Sequence, residues 1–200
     1  MRIPLFLAVA QWALLLALGL LVITAYRQLG RVLSRSKQPA ELGPVVGSRA
    51  GRLAYQRLRP GGDQDPADAA PRSFDPGDGQ PALVAFVDPT CPSCEELVTS
   101  LGAARASGQL GDSRILLLTS DPPGYLQISA AFRDTGLEIG RPLDHADVEA
   151  YRASATPLLV AIDGGGVVRA AGTAYRPAEV AAFGQACLLP PTGPLLPVTT

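Results

Sequence analysis

Residues 82–94 read ALVAFVDPTCPSC, and this stretch decides the fold. Ala82 to Val87 is a short continuous apolar run, the pattern of a strand covered on both faces, and Asp88-Pro89 ends it. From Pro92 to Ala106, Leu97, Val98, Leu101 and Ala104 recur at helical spacing, and the helix ends near Gly108. The two cysteines sit where strand becomes helix. With Cys91 at the N-cap and Pro92 at the first helical position, the Cys91 sulfur is expected to point at the unpaired N–H groups of the first turn, where the helix dipole favours a thiolate. Pro92 and Ser93 fill one turn, which brings Cys94 within disulfide distance. Cys91 then attacks a substrate disulfide and Cys94 resolves the mixed intermediate. A zinc site is the competing use of such a pair. His145 and Cys187 are the candidate partners, and no second CxxC exists.

Working outward, strand and helix signals alternate. Arg114 to Thr119 is a second buried-type strand, Asp121-Pro122-Pro123-Gly124 a breaker, and Tyr125 to Asp134 a helix. Ala146 to Ala153 reads as a short helix and Pro157 to Ile162 as a strand. Asp163-Gly164-Gly165-Gly166 is a turn, and Val167 to Ala171 the antiparallel partner of that strand. Pro177 to Leu188 closes the order as a helix with Pro at its start. The expectation is an α/β domain over 82–188 with a mixed central sheet flanked by helices, followed by a Pro-rich tail at 189–200.

Upstream, residues 3–26 run 24 residues without a charge, long enough for a single transmembrane helix at residues 1–26 that contacts the lipid bilayer. A cleaved signal peptide is the alternative, but its apolar run would be much shorter. Arg27, Arg31, Arg35 and Lys37 follow the span, so charge bias alone places the domain in the cytoplasm, against the oxidising compartment that the cysteine chemistry favours. Residues 27–59 form a basic juxtamembrane segment suited to anionic headgroups or simply to solvent. In 60–81, 14 of 22 residues are Pro, Gly or Asp, which predicts a linker without a core. Lys+Arg 17 against Asp+Glu 18 gives no basic field for nucleic acid, and no internal repeat is found.

A CxxC at a strand-to-helix junction in this element order resembles the thioredoxin superfamily, over roughly Pro81 to Leu188. The resemblance implies a cis-proline facing the cysteines, and Thr156-Pro157 stands in the matching place. Thr156, Pro157, Pro92 and Ser93 are thereby the residues expected to face a client chain. Within the superfamily the sequence is similar to the membrane-anchored TlpA-like group, and especially to the methylamine-utilisation MauD proteins. The landmarks in order are the N-terminal span with Tyr26 to Leu33, Gly43 to Gly47, Asp88 to Cys94, and Ile162-Asp163 through Val168 to Gly172. This likeness implies an extracytoplasmic thiol–disulfide protein without a cofactor. It would act on client disulfides or thiols, for MauD the small subunit of methylamine dehydrogenase, and a membrane redox donor or acceptor would reset it. The anchor and motif also suit a cytochrome c maturation reductase, or a scaffold whose CPSC pair is a static disulfide.

Some positions depart from the thioredoxin pattern. A buried acid six residues before the first cysteine and a Trp just before it are replaced by Ala85 and Thr90, so Cys94 lacks that base. Glu95 and Glu96 place negative charge beside the motif. The superfamily's hairpin before the first strand is expected to be reduced to the 60–81 linker. Asp121 reads as a turn-starting residue, His145 as flanking a helix, and Cys187 as a buried thiol in a stripe with Val180 and Phe183.

Overall fold

The structure is a computed structural model that describes residues 42–60, 68–127 and 129–190, with Trp12, Leu14 and Leu15. The chain divides into two compact units, 1–40 and 41–200. In the first, Trp12, Leu14 and Leu15 are helical and exposed. The rest of the expected span at 1–26, the juxtamembrane residues up to 41, residues 61–67 and the tail from 191 lie outside the described residues. Among the described residues no helix is long and apolar enough to cross a membrane.

The second unit is built on a seven-stranded sheet. Its strands are β1 (Leu53–Leu58), β2 (Pro71–Phe74), β3 (Ala82–Phe86), β4 (Arg114–Leu118), β5 (Glu138–Pro142), β6 (Leu158–Ile162) and β7 (Val168–Gly172), in spatial order β2-β1-β5-β4-β3-β6-β7. The β3–β4 and β4–β5 pairs are parallel, and the others antiparallel, so the expected mixed sheet is present. The helices are α1 (Pro92–Ala106), α2 (Ala130–Arg133), α3 (His145–Ala150) and α4 (Pro177–Cys187).

The continuous apolar runs are explained by two cores. Leu83 and Ala85 of β3, Ile115 and Leu117 of β4, and Leu159 and Ala161 of β6 join one core with Leu97, Leu101 and Phe183 from α1 and α4. The alternate residues Val84, Phe86, Leu116, Leu118, Leu158 and Val160 join the other, with Tyr55, Phe74 and Tyr151. Successive strand side chains point to opposite faces, so a strand buried on both sides must be apolar throughout.

Several expectations are corrected here. Residues 53–58 and 71–74 are not stalk and linker but an antiparallel pair, with Leu53 opposite Phe74 and Gln56 opposite Pro71. The hairpin before β3 is therefore present, and the folded domain begins well upstream of residue 82. Leu53 and Tyr55 turn into one core and Leu58 into the other, while Arg57 stays part-exposed, a pattern hidden by the basic residues around it. A further strand, β5, separates β4 from β1. Its Gly140 has no Cβ because one there would collide with the Tyr55 ring. The expected helix at 125–134 is a 3-10 turn at Pro123–Gln127 followed by α2, and the helix at 146–153 is the shorter α3. The β6–β7 hairpin is as expected. Asp163 holds its turn by accepting from the backbone N–H of Gly165 and Val167, each at 2.9 Å, while its other oxygen accepts from buried Arg169 Nε at 2.6 Å.

Candidate active site

The site is assembled where β3 hands over to α1. Val87 N–H still bonds the Leu118 carbonyl at 2.9 Å, extending the parallel ladder by one residue. The turn that follows is closed by Asp88, whose Oδ1 accepts from both the backbone N–H and the hydroxyl of Thr90 at 2.7 Å. Cys91 N–H then donates to the Asp88 carbonyl at 3.1 Å. As expected, Cys91 is the N-cap and Pro92 opens the helix.

One detail differs from the expectation. The Cys91 side chain makes no capping hydrogen bond. The Cys91 carbonyl instead accepts from Cys94 and Glu95 N–H at 3.0 and 3.2 Å, occupying the donor an N-cap side chain would use. A backbone N–H does reach a sulfur, but it runs from Asp88 to Cys94 Sγ, at 3.4 Å.

The two cysteines are both free thiols in different surroundings. Cys94 is fully buried in the α1–α4 core, and Cys91 is half-buried at the edge of the same core. Burial pushes the Cys94 thiol up to about 12. The Asp88 N–H opposes that shift, the hydrogen bond to Cys91 and its charge reinforce it, and a hydrogen bond from the Thr156 side chain opposes it. Thr156-Pro157 is a cis peptide, with Thr156 exposed and Pro157 buried. Leu158, the next residue, pairs with Phe86 at the end of β3. The structure thus brings Cys91, Cys94 and Thr156 together, with Pro92 and Ser93 in the helical turn between the sulfurs. Pro92 also borders an open groove of about 510 Å³ shared with Glu95, Ser100, Tyr175 and Arg176.

Asp88 is the contributor that sequence reading passed over. Asp88-Pro89 reads only as a strand stop, and nothing in it signals that the Asp88 N–H would meet a sulfur six residues on. Ala85 is fully buried where thioredoxins carry an acid, so that carboxylate has no counterpart at this position. Asp121 bonds Thr119 in a turn, as expected for its sequence. His145 opens α3, with Asp144 as the cap, and is exposed. Cys187 is fully buried beside Ser113, whose hydroxyl lies 3.4 Å from its sulfur, and burial raises its pKa. Among the described residues no group of His, Cys, Asp and Glu is arranged to hold a metal.

The mixed sheet, its flanking helices and a cysteine pair at the end of β3 define a thioredoxin-like α/β fold. Solved structures share it. The thioredoxin domain of a thiol-disulfide oxidoreductase from Bacteroides vulgatus superposes with a TM-score of 0.56 at 16% identity, covering 70% of this chain and 96% of that one. A secreted Mycobacterium tuberculosis disulfide oxidoreductase homologous to E. coli DsbE gives 0.51 at 19% identity, covering 59% of this chain and 90% of that one. A peroxiredoxin-like protein from Aquifex aeolicus gives 0.54 at 14% identity, covering 74% and 91%. At these identities the likeness is one of fold, and the fold hosts more than one thiol chemistry. No protein-family model matches the sequence, and neither does any curated protein.

Proposed function

We propose that this chain is a protein thiol–disulfide oxidoreductase. The observation that carries the reading is the asymmetry of the pair: a half-buried Cys91 at a helix start and, one turn later, a wholly buried Cys94. Cys91 as thiolate attacks one sulfur of a client disulfide, forming a mixed disulfide and releasing a client thiolate. Cys94 then gives up its proton and attacks the Cys91 sulfur. The second client sulfur leaves, and a Cys91–Cys94 disulfide remains. Two electrons pass to the client, and the reverse sequence oxidises it. The Asp88 N–H and the Thr156 side chain are the groups that favour the anion Cys94 must become. Pro92, Ser93, Thr156 and Pro157 are the surface offered to the client chain.

In this reading the 3–26 segment tethers the domain at a membrane on the extracytoplasmic side, where a membrane redox donor or acceptor resets the pair. The TlpA-like and MauD-like landmarks support a role in maturing a disulfide-bearing client such as a methylamine dehydrogenase subunit. The test is acid-quenched trapping of Cys94→Ser in cells, with adducts separated on a non-reducing gel and identified by mass spectrometry. A mixed disulfide through Cys91 is the expected result, and its partner identifies the client and compartment. Apocytochrome as partner would move the role to cytochrome c maturation. Absence of any adduct from a folded, expressed variant would overturn the catalytic reading.

A further inference from the structure

The end of the sheet opposite the cysteine pair carries a second concave site. Ala82 pairs with Arg114 at one end of the β3–β4 ladder, and Phe86 pairs with Leu118 at the other, where the chain runs on to Cys91. At the Arg114 end lies a cavity of about 280 Å³. Its lining includes Arg57 of β1, Arg72 of β2, Arg105 in the last turn of α1 and Arg114 of β4, and among the described residues Glu138 is its one acid.

The protein's own contacts engage these guanidiniums only in part. Arg72 Nη1 is 3.4 Å from Glu138 Oε1, and Arg114 Nη2 is 3.7 Å from Glu138 Oε2. Arg114 also donates to the Tyr55 hydroxyl at 2.9 Å, and that hydroxyl donates to Glu138 at 2.7 Å. Arg105 donates to the Ser113 carbonyl at 3.3 Å. Arg57 and Arg72 approach Asp68 no closer than 3.9 and 4.0 Å. Each guanidinium has five N–H donors in a planar fork, so these contacts leave most of them to solvent or a ligand. Four cations drawn from four elements outnumber the two carboxylates near them among the described residues, Glu138 and the more distant Asp68, and an anion between them relieves their mutual repulsion. The arginine fork matches the oxygens of a phosphate group.

We propose that this hollow binds a small phosphate-bearing anion, independently of the redox site. Two sources share that chemistry: free phosphate or a phosphomonoester, and the phosphodiester of an anionic lipid headgroup. The full-length chain is titrated calorimetrically with inorganic phosphate and, separately, with glycerophosphoglycerol, which carries a headgroup phosphodiester without acyl chains. Saturable binding of either is expected, weakening as salt is raised. Binding of phosphate alone assigns the free anion, and binding of the diester assigns a headgroup. The double variant Arg57→Gln, Arg105→Gln is expected to lose at least tenfold in affinity while keeping its circular dichroism and dithiol activity. Arg105→Glu alone, at an exposed helix position, gives the same reading if the double variant does not fold. No saturable binding of either probe, or equal affinity in a folded variant, overturns the proposal.

Discussion

Asp88 and Cys94 are joined by a hydrogen bond from a backbone N–H after β3 to a fully buried sulfur in α1, at 3.4 Å, and the exposed Thr156 side chain lowers the pKa of the same thiol. The Thr156 side chain favours the Cys94 anion, so Thr156→Val is expected to raise the Cys94 pKa further. A hydrogen bond of about 1 kcal/mol corresponds to roughly fivefold in rate. Stopped-flow measurement of mixed-disulfide resolution checks this: the second step slows while formation of the adduct through Cys91 does not. Equal slowing of both steps would overturn this assignment and leave Thr156 a role in client docking or in folding.

The raised Cys94 pKa also sets a pH dependence of stability. Unfolded Cys94 ionises near the reference value of 9.0 and the folded thiol at about 12, so between these values the native state holds a proton that the unfolded state has lost. This contribution is fully present below pH 9 and is lost as pH rises toward 12. Denaturant titrations of the reduced protein between about pH 8 and 10.5 should show a steeper alkaline loss of stability for the parent than for Cys94→Ser. Parallel curves would contradict the assignment.

Native-state alkylation should separate the three thiols. Half-buried Cys91 is expected to react with iodoacetamide far faster than Cys94 or Cys187, both fully buried with raised pKa values. Cys187→Ala should leave disulfide exchange unchanged, as measured by reduction of a model disulfide. Early label on Cys187 in peptide mapping would give that residue a redox role.

The elements around the cysteines were legible because their burial leaves its own pattern. The apolar runs of β3, β4 and β6 mark strands covered on both faces, and Leu97, Val98, Leu101 and Ala104 mark the buried side of α1. The edge of the sheet was not legible, for a physical reason. In β2 only Phe74 is buried, and in β5 Gly140 and Pro142 break the strand pattern. What holds these strands is long-range, namely the Tyr55, Glu138 and Arg114 network and the fit of Gly140 under Tyr55. The same holds at the site: Cys91, Pro92 and Cys94 announce themselves by spacing. Asp88 acts through its backbone, which no residue type advertises.

Two substitutions test the packing. Leu101→Ala removes a fully buried side chain from the α1–α4 core and is expected to cost about 2–5 kcal/mol, read as a fall of several degrees in melting temperature. Asp163→Ala takes the carboxylate from buried Arg169 and the acceptor from the Gly165 and Val167 N–H groups. A loss of about 3–5 kcal/mol is expected in chemical denaturation, and a loss below 1 kcal/mol would show that the pair is dispensable.

Because Cys94 is at once a core residue and half of the dithiol, folding and oxidation share a thermodynamic cycle. The gap between the stabilities of the oxidised and reduced domains must equal the gap between the reduction potentials of the folded and unfolded chain, at about 30 mV for each 1.4 kcal/mol. Any repacking of α1 against α4 that favours one form over the other therefore retunes the couple without touching either sulfur.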